Sequence, residues 1–167
     1  MRIVEGIADI DDVDAALDSL DAVAADHDVT IQAFDARYVA GRRHLERAVE
    51  LADRAIRRGE NVARDRAVEI LLYAAGRRQI DDALAMGVSE GEMPVAVVVT
   101  GSDGTSEGAA ADAVGDALDL DPAETLESTD SERIRAFFDV TDAELDAVDG
   151  DLSDLVCERV ALLDVEK

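Results

Sequence analysis

Residues 95–100, Val-Ala-Val-Val-Val-Thr, carry no charge and no strongly polar side chain before the final threonine. A run of this length, rich in β-branched residues, reads as a strand whose side chains leave both faces apolar, so both faces of its sheet need cover. The remaining segments must supply partner strands and that cover. Residues 1–8 (MRIVEGIA) alternate as a strand does, and residues 29–34 (VTIQAF) form a second β-branched alternation. Between them, residues 11–26 place Val13, Leu17, Leu20 and Ala24 at helical spacing.

After the second strand the pattern becomes helical. Gly41 opens a long helix that runs to Arg58 and is ended by Gly59. Asn61 can cap a second helix over 62–75, whose apolar arc (Ala67, Val68, Ile70, Leu71, Leu72, Ala74, Ala75) is wide enough for near-complete burial. Gly76 stops it, and a short helix over about 78–86 follows before Gly87. Beyond the apolar strand, a helix runs to about Leu118, and Thr129…Glu132 and Thr141…Glu144 have capping-box spacing. The tail from Leu152 suits a helix, although 158–165 (ERVALLDV) also reads as a strand. The expectation is a mixed α/β (α+β) fold, helix-rich with a small sheet, as one domain over 1–167.

Composition narrows the function. With 167 residues and 48% hydrophobic content the chain can bury one substantial core. Forty acids against sixteen bases give a net charge of -24, an excess suited to a halophile's cytosol, where salt screens repulsion within a few ångströms. No basic leader precedes an apolar run, and the longest uncharged apolar stretch, 93–101, is far too short to span a bilayer. A soluble, cytoplasmic protein without membrane contact is expected. Cys157 is alone and the two histidines have no cysteine pair beside them, so neither an internal disulfide nor a zinc site is expected, nor any other metal or cofactor.

The charge is unevenly distributed. Residues 36–80 hold eleven arginines and six acids, a net +5, which leaves five bases and 34 acids, a net -29, for the rest of the chain. A basic island in an acidic chain reads as a place kept for an anionic partner. On a wheel of about 100° per residue, Arg47, Arg54 and Arg58 fall within roughly 60° of Arg43, opposite Leu45, Val49, Ala52 and Ile56. Such a stripe can equally be a solvated face laced by Glu50–Arg54 and Asp53–Arg57 pairs.

Gly76 adds a second signal. A left-handed glycine ends one helix, and the next begins within two residues with its first N–H groups unpartnered. Arg77 and Arg78 oppose the dipole there, whereas Asp81 and Asp82 suit it. An anion among Arg77, Arg78 and Gln79 would account for the arginines; so would a carboxylate within the fold that pairs Arg78. His44, at the edge of the apolar face, reads as a packed, hydrogen-bonded residue. Residues 101–108 (GSDGTSEG) lie between strand and helix like a phosphate loop, but the Lys-Ser/Thr pair is missing, and Asp103 and Glu107 would repel phosphate. No nucleophile has a base partner and no carboxylate pair stands out, so no active site is expected. Phe137 and Phe138 are adjacent on a short helix and cannot both point at one core, which makes one of them a candidate partner anchor.

The segments IQAFDARYVAGRRHLERAVEL (31–51) and NVARDRAVEILLYAAGRRQIDDAL (61–84) resemble the small TPRKB-like subunit of the KEOPS complex. The Ala-Gly-x-x-His-Leu start of that family's long helix is matched by Ala40, Gly41, His44 and Leu45. Its small-Gly-Ser-Arg-Gln-Ile run is matched by Ala75, Gly76, Arg78, Gln79 and Ile80, with Arg77 in place of the serine. The resemblance implies a non-catalytic subunit that binds the complex's small atypical kinase and helps recruit tRNA by its acceptor (CCA) end for threonylcarbamoyladenosine formation, with DNA not expected as a partner. The tRNA site would then comprise Gly76, Arg77, Arg78 and Gln79 with Arg42, Arg43 and Arg47, and Tyr38 and Tyr73 would be stacking candidates. Two other readings stay open: a protein-interaction module without RNA binding, and a nucleotide-binding enzyme using 101–108.

Overall fold

The computed structural model describes residues 1–127, 129–148 and 150–166. In chain order the elements are β1 (Arg2–Ile10), α1 (Val13–His27), β2 (Thr30–Asp35), α2 (Arg42–Arg58), α3 (Arg66–Ala75) and α4 (Ile80–Ala83). They continue with β3 (Gly91–Thr100), α5 (Gly104–Ala117), β4 (Asp121–Pro122), α6 (Ser131–Phe138), α7 (Asp142–Ala147) and α8 (Leu152–Glu166). Turns of 3-10 helix follow β2 (Ala36–Tyr38) and α4 (Leu84–Met86). This is an α+β fold, and the chain divides into two compact units, residues 1–36 with 87–128 and residues 37–86 with 129–167.

The first unit is built on a four-stranded antiparallel sheet of order β2-β3-β1-β4. The apolar run lies in its centre: Val95 through Val99 are all 0% exposed, as a strand flanked on both edges and covered on both faces requires. Val95, Val97 and Val99 pack with Ala8, Ile10 and Ile31, and beneath Leu20 of α1 and Ala110 and Val114 of α5. Each such fully buried side chain is worth roughly 1.5–3 kcal/mol over its exposed state. β4, which periodicity alone did not indicate, reaches β1 because Gly6 has no side chain; a Cβ there would stand 2.8 Å from the Asp121 carbonyl oxygen.

The 101–108 stretch is a capped helix start. The Asp103 side chain accepts from the Thr105 N–H at 2.8 Å, and the buried Glu107 carboxylate accepts from the Gly101 N–H at 2.8 Å. The donors that a phosphate would need are therefore occupied by the chain's own carboxylates.

The second unit is helical. α2 is N-capped by Gly41 without a side-chain bond and ends at Gly59 in the left-handed conformation (φ 70°). Leu45, Ala48, Leu51, Ala52 and Ala55 bury its inner face, whereas Ile56, placed on that face by the wheel, is 36% exposed near the helix end. The α3 boundary differs from expectation: Asp65 caps the helix by accepting from Val68 N–H, while Asn61 donates to the Ala63 carbonyl in the preceding turn. An aspartate directly before the first turn also suits the dipole, which Asn61, four residues earlier, cannot reach. The Thr141–Glu144 capping box forms, but α6 is capped by Asp130 in place of Thr129. The tail is a helix over Leu152–Glu166: Leu155, Val156, Val160 and Leu163 recur at 3–4-residue spacing and are buried, a periodicity that a strand could not use.

Candidate nucleic-acid interface

α2 and α3 form an antiparallel helical hairpin, and buried polar contacts fix both its ends. At the turn, Arg66 clasps Asp53 with two parallel bonds, Nε to Oδ1 at 2.7 Å and Nη2 to Oδ2 at 2.9 Å. Glu69, 0% exposed, accepts the N–H groups of Val62 and Ala63 at 3.2 and 2.8 Å. A buried carboxylate is tolerated only with such donors, so the Glu69 side chain defines the shape of the 61–63 turn.

At the other end His44 does the equivalent work. It is 0% exposed; its Nδ1 accepts the Ala40 N–H at 3.1 Å, which places the proton on Nε2, and Nε2–H donates to the Ala74 carbonyl at 2.7 Å. Desolvation dominates over the favourable bond to Ala74 and pushes the imidazole pKa down to about 4. The neutral ring thereby ties the start of α2 to the residue two before Gly76. Phe138 meets it edge-on, with ring centroids 5.5 Å apart.

Gly76 ends α3 in the left-handed region (φ 61°), with the N–H groups of Gly76 and Arg77 returned to the carbonyls of Tyr73 and Leu72. From there the two adjacent arginines part. Arg77 turns inward: its guanidinium donates to the Phe137 carbonyl and lies over the Phe137 ring, 4.7 Å from the centroid. Arg78 and Gln79 are exposed, and no described carboxylate pairs with Arg78. α4 starts only at Ile80 and has four residues, with Gln79 as a cap that makes no side-chain bond. The expected helix over 78–86 is thus shorter, and the arginines precede its first turn instead of occupying it.

The arginines at the start of α2 are neutralised from within the fold, whereas Arg54 and Arg58 of the stripe have no described carboxylate partner. Arg42 bonds Glu46 at 2.8 Å, Arg43 bonds Asp154 of α8 at 2.5 Å, and Arg47 bonds Glu50 at 2.8 Å. The Arg43 guanidinium, followed by the Asp151 N–H, holds the Asp154 carboxyl below the ordinary aspartate range. The anticipated Glu50–Arg54 and Asp53–Arg57 pairs are replaced by Arg47–Glu50 and Asp53–Arg66, because Asp53 can make two bonds to Arg66 in a half-buried site.

Of the stacking candidates, Tyr73 is excluded: it is 0% exposed and its hydroxyl donates to Asp164 at 2.9 Å, while desolvation and then that bond raise its pKa. Tyr38 is half-buried against Phe137, with centroids 5.3 Å apart, and Arg133 lies over its ring. Phe138 is 6% exposed and belongs to the core, so Phe137 alone of the pair keeps an accessible face. Gly76, Arg77, Phe137, Phe138, Arg159 and Leu162 line a cleft of about 190 Å³. Arg77 therefore touches both the exposed Arg78–Gln79 corner and the aromatic group that carries the candidate anchor.

The family model described as kinase binding protein CGI-121 matches residues 7–164, nearly the whole chain. The chain belongs to the CGI-121 family. No curated protein matches the sequence. Within this CGI-121 protein, the residues that carried the resemblance converge at one end of the α2–α3 hairpin: Ala40 and His44 bond there, Gly76 turns there, and Arg78 and Gln79 project there. Sequence reasoning missed the inward Arg77 and the structural Glu69. A carboxylate on an apolar helical face (Ala67, Ile70, Tyr73) was the available signal for Glu69. None of the described residues form a cluster of ligands that could hold a metal ion, and no helix among them is long and apolar enough to cross a membrane.

Proposed function

We propose that this protein is the non-catalytic CGI-121 subunit of a KEOPS-type complex, acting as one domain over 1–167 in the cytoplasm. In this reading it binds the complex's small atypical kinase and recruits tRNA by its acceptor end for threonylcarbamoyladenosine formation. The observation that carries the RNA part is the corner after Gly76. There the left-handed turn exposes Arg78 and Gln79 side by side, and no described carboxylate pairs with the guanidinium. A guanidinium grips a phosphate with two bonds and an amide reads a base edge, so the pair suits the end of a nucleic-acid strand. Arg42, Arg43 and Arg47 contribute a positive potential from behind, each partly compensated by its carboxylate, and Arg77 acts by holding the corner against α6.

The test is titration of the purified protein with intact tRNA and with tRNA lacking its terminal CCA. Arg78→Glu should weaken binding of the intact form by at least ~1.5 kcal/mol through loss of a charge-assisted contact and gain of repulsion. Its melting temperature should be no lower than wild type, because the residue is exposed and no described carboxylate pairs with it. Normal affinity in this variant would refute the assignment. For the kinase, the accessible face of Phe137 beside the cleft is the proposed anchor, and Phe137→Asp should abolish co-elution with the kinase while tRNA binding persists. Phe138→Asp is no equivalent probe, since it would place a charge in the core.

A further inference from the structure

We infer that the α2–α3 turn is a second RNA contact, in which Arg57, Arg58 and Arg64 take backbone phosphates of a double-helical segment. The inference rests on the tRNA-binding reading above and extends it to residues to which the family resemblance assigned no role in binding tRNA.

The first observation is one of pairing. In a chain with 40 acids and 16 bases, the arginines nearer the start of α2 each have a carboxylate, yet the exposed side chains of Arg57, Arg58 and Arg64 bond no described residue. The neighbouring acids are already committed: Asp53 to Arg66, Asp65 to the Val68 N–H and Glu69 to the Val62 and Ala63 N–H groups. Glu60 is the one carboxylate of the 57–65 stretch left to oppose three guanidiniums. The helix dipole explains two of these arginines, because Arg57 and Arg58 close the last turn of α2. It does not explain Arg64, which immediately precedes the Asp65 cap of α3 and so faces a positive helix end.

The second observation is rigidity. Arg64 follows Ala63, which is 8% exposed and bonded to Glu69, so the loop is held at the end of α2 by buried groups. Preorganised cations lose little freedom on binding. The third is distance. His44 bonds Ala74 beside the Gly76 corner, and α2 then rises 1.5 Å per residue, which puts the turn about 20 Å from it. No single phosphate or small anion can meet both ends. A ligand that does is long and regularly charged, with its terminus at Arg78–Gln79 and its stem along the hairpin.

The experiment measures tRNA affinity against salt, from about 0.1 M to about 1 M, for wild type, the R57Q/R58Q/R64Q triple variant, the corresponding triple lysine variant and R78Q. At about 0.7–0.9 in slope per phosphate contact, the glutamine triple should flatten the plot of log affinity against log salt by about 2–3. It should do so equally for intact and CCA-less tRNA; R78Q should affect the intact form alone. The lysine triple should restore the slope, which a folding defect would not permit. An unchanged slope in the glutamine triple, with R78Q behaving as stated, overturns this inference and leaves the acceptor-end reading intact. Unchanged tRNA binding with lost kinase binding in that triple would make the turn a protein contact and overturn it too. Failure of wild type to bind tRNA in any salt removes both.

Discussion

At the scale of single residues, the informative contrasts are between neighbours of like type. Arg77 and Arg78 are adjacent and identical, but Arg77 is bonded to the Phe137 carbonyl and stacked on its ring while Arg78 is exposed and bonds no described residue. Arg77→Ala should therefore lower stability by about 2–4 kcal/mol in urea unfolding, the sum of a charged hydrogen bond and a cation–π contact in a half-buried site. His44 makes a pH-dependent prediction. Its pKa is pushed down to about 4 in the fold from an ordinary 6.5, so the unfolded chain binds the proton more readily. The stabilisation is complete above about pH 6.5 and is lost as pH falls toward 4, up to about 3 kcal/mol at 1.36 kcal/mol per pH unit. Unfolding free energies at pH 7 and pH 4.5 measure this directly. His44→Leu should cost about 2–4 kcal/mol at neutral pH, leaving the Ala40 N–H and Ala74 carbonyl unpaired, and should flatten the acid dependence. The sequence revealed that His44 was structural because it stood at the margin of an apolar face. It could not show which arginine turned inward, because both follow the same glycine and differ only in what α6, about sixty residues later, presents to them.

At the scale of elements, glycines and caps set the boundaries. Gly76→Ala should cost only about 1 kcal/mol: the strain of a positive φ remains, but the new Cβ meets its nearest neighbour, the Arg159 carbonyl oxygen, at an ordinary 3.6 Å. Gly6→Ala should cost more and detach β4 from β1, since its Cβ has the Asp121 carbonyl oxygen at 2.8 Å and backbone cannot yield. Comparing melting temperatures of the two variants checks the order. Elements with their own periodicity, such as β3 and α2, were legible in the sequence; the tail was not, because 158–165 fits a strand as well as the helix that forms. The start of α3 was not, because Asn61 and Asp65 are both good caps and the choice is made by Glu69 pulling the Val62 and Ala63 N–H groups out of any helix. α4 was overextended for a related reason: past Ala83 the apolar Leu84 and Met86 continue as a 3-10 turn, a difference of hydrogen bonding and not of side-chain pattern.

At the scale of the whole molecule, the charge of -24 makes salt a structural variable. Raising it from about 0.05 M toward 1 M contracts the screening length to about 3 Å, so the melting temperature should rise steeply over this range before levelling. A flat response in a melting scan would show that the acids do not repel one another appreciably in the fold. Each of the two compact units is assembled from two separated stretches of sequence, 1–36 with 87–128 and 37–86 with 129–167, so neither can be excised at one cut. The sheet order β2-β3-β1-β4 has a temporal consequence as well. β1 and β2 are made first but do not pair with each other; both await β3, whose residues 91–100 leave the ribosome only after the α2–α3 hairpin has emerged. During synthesis the local helical contacts can form early while two apolar strands remain unmatched until β3 emerges.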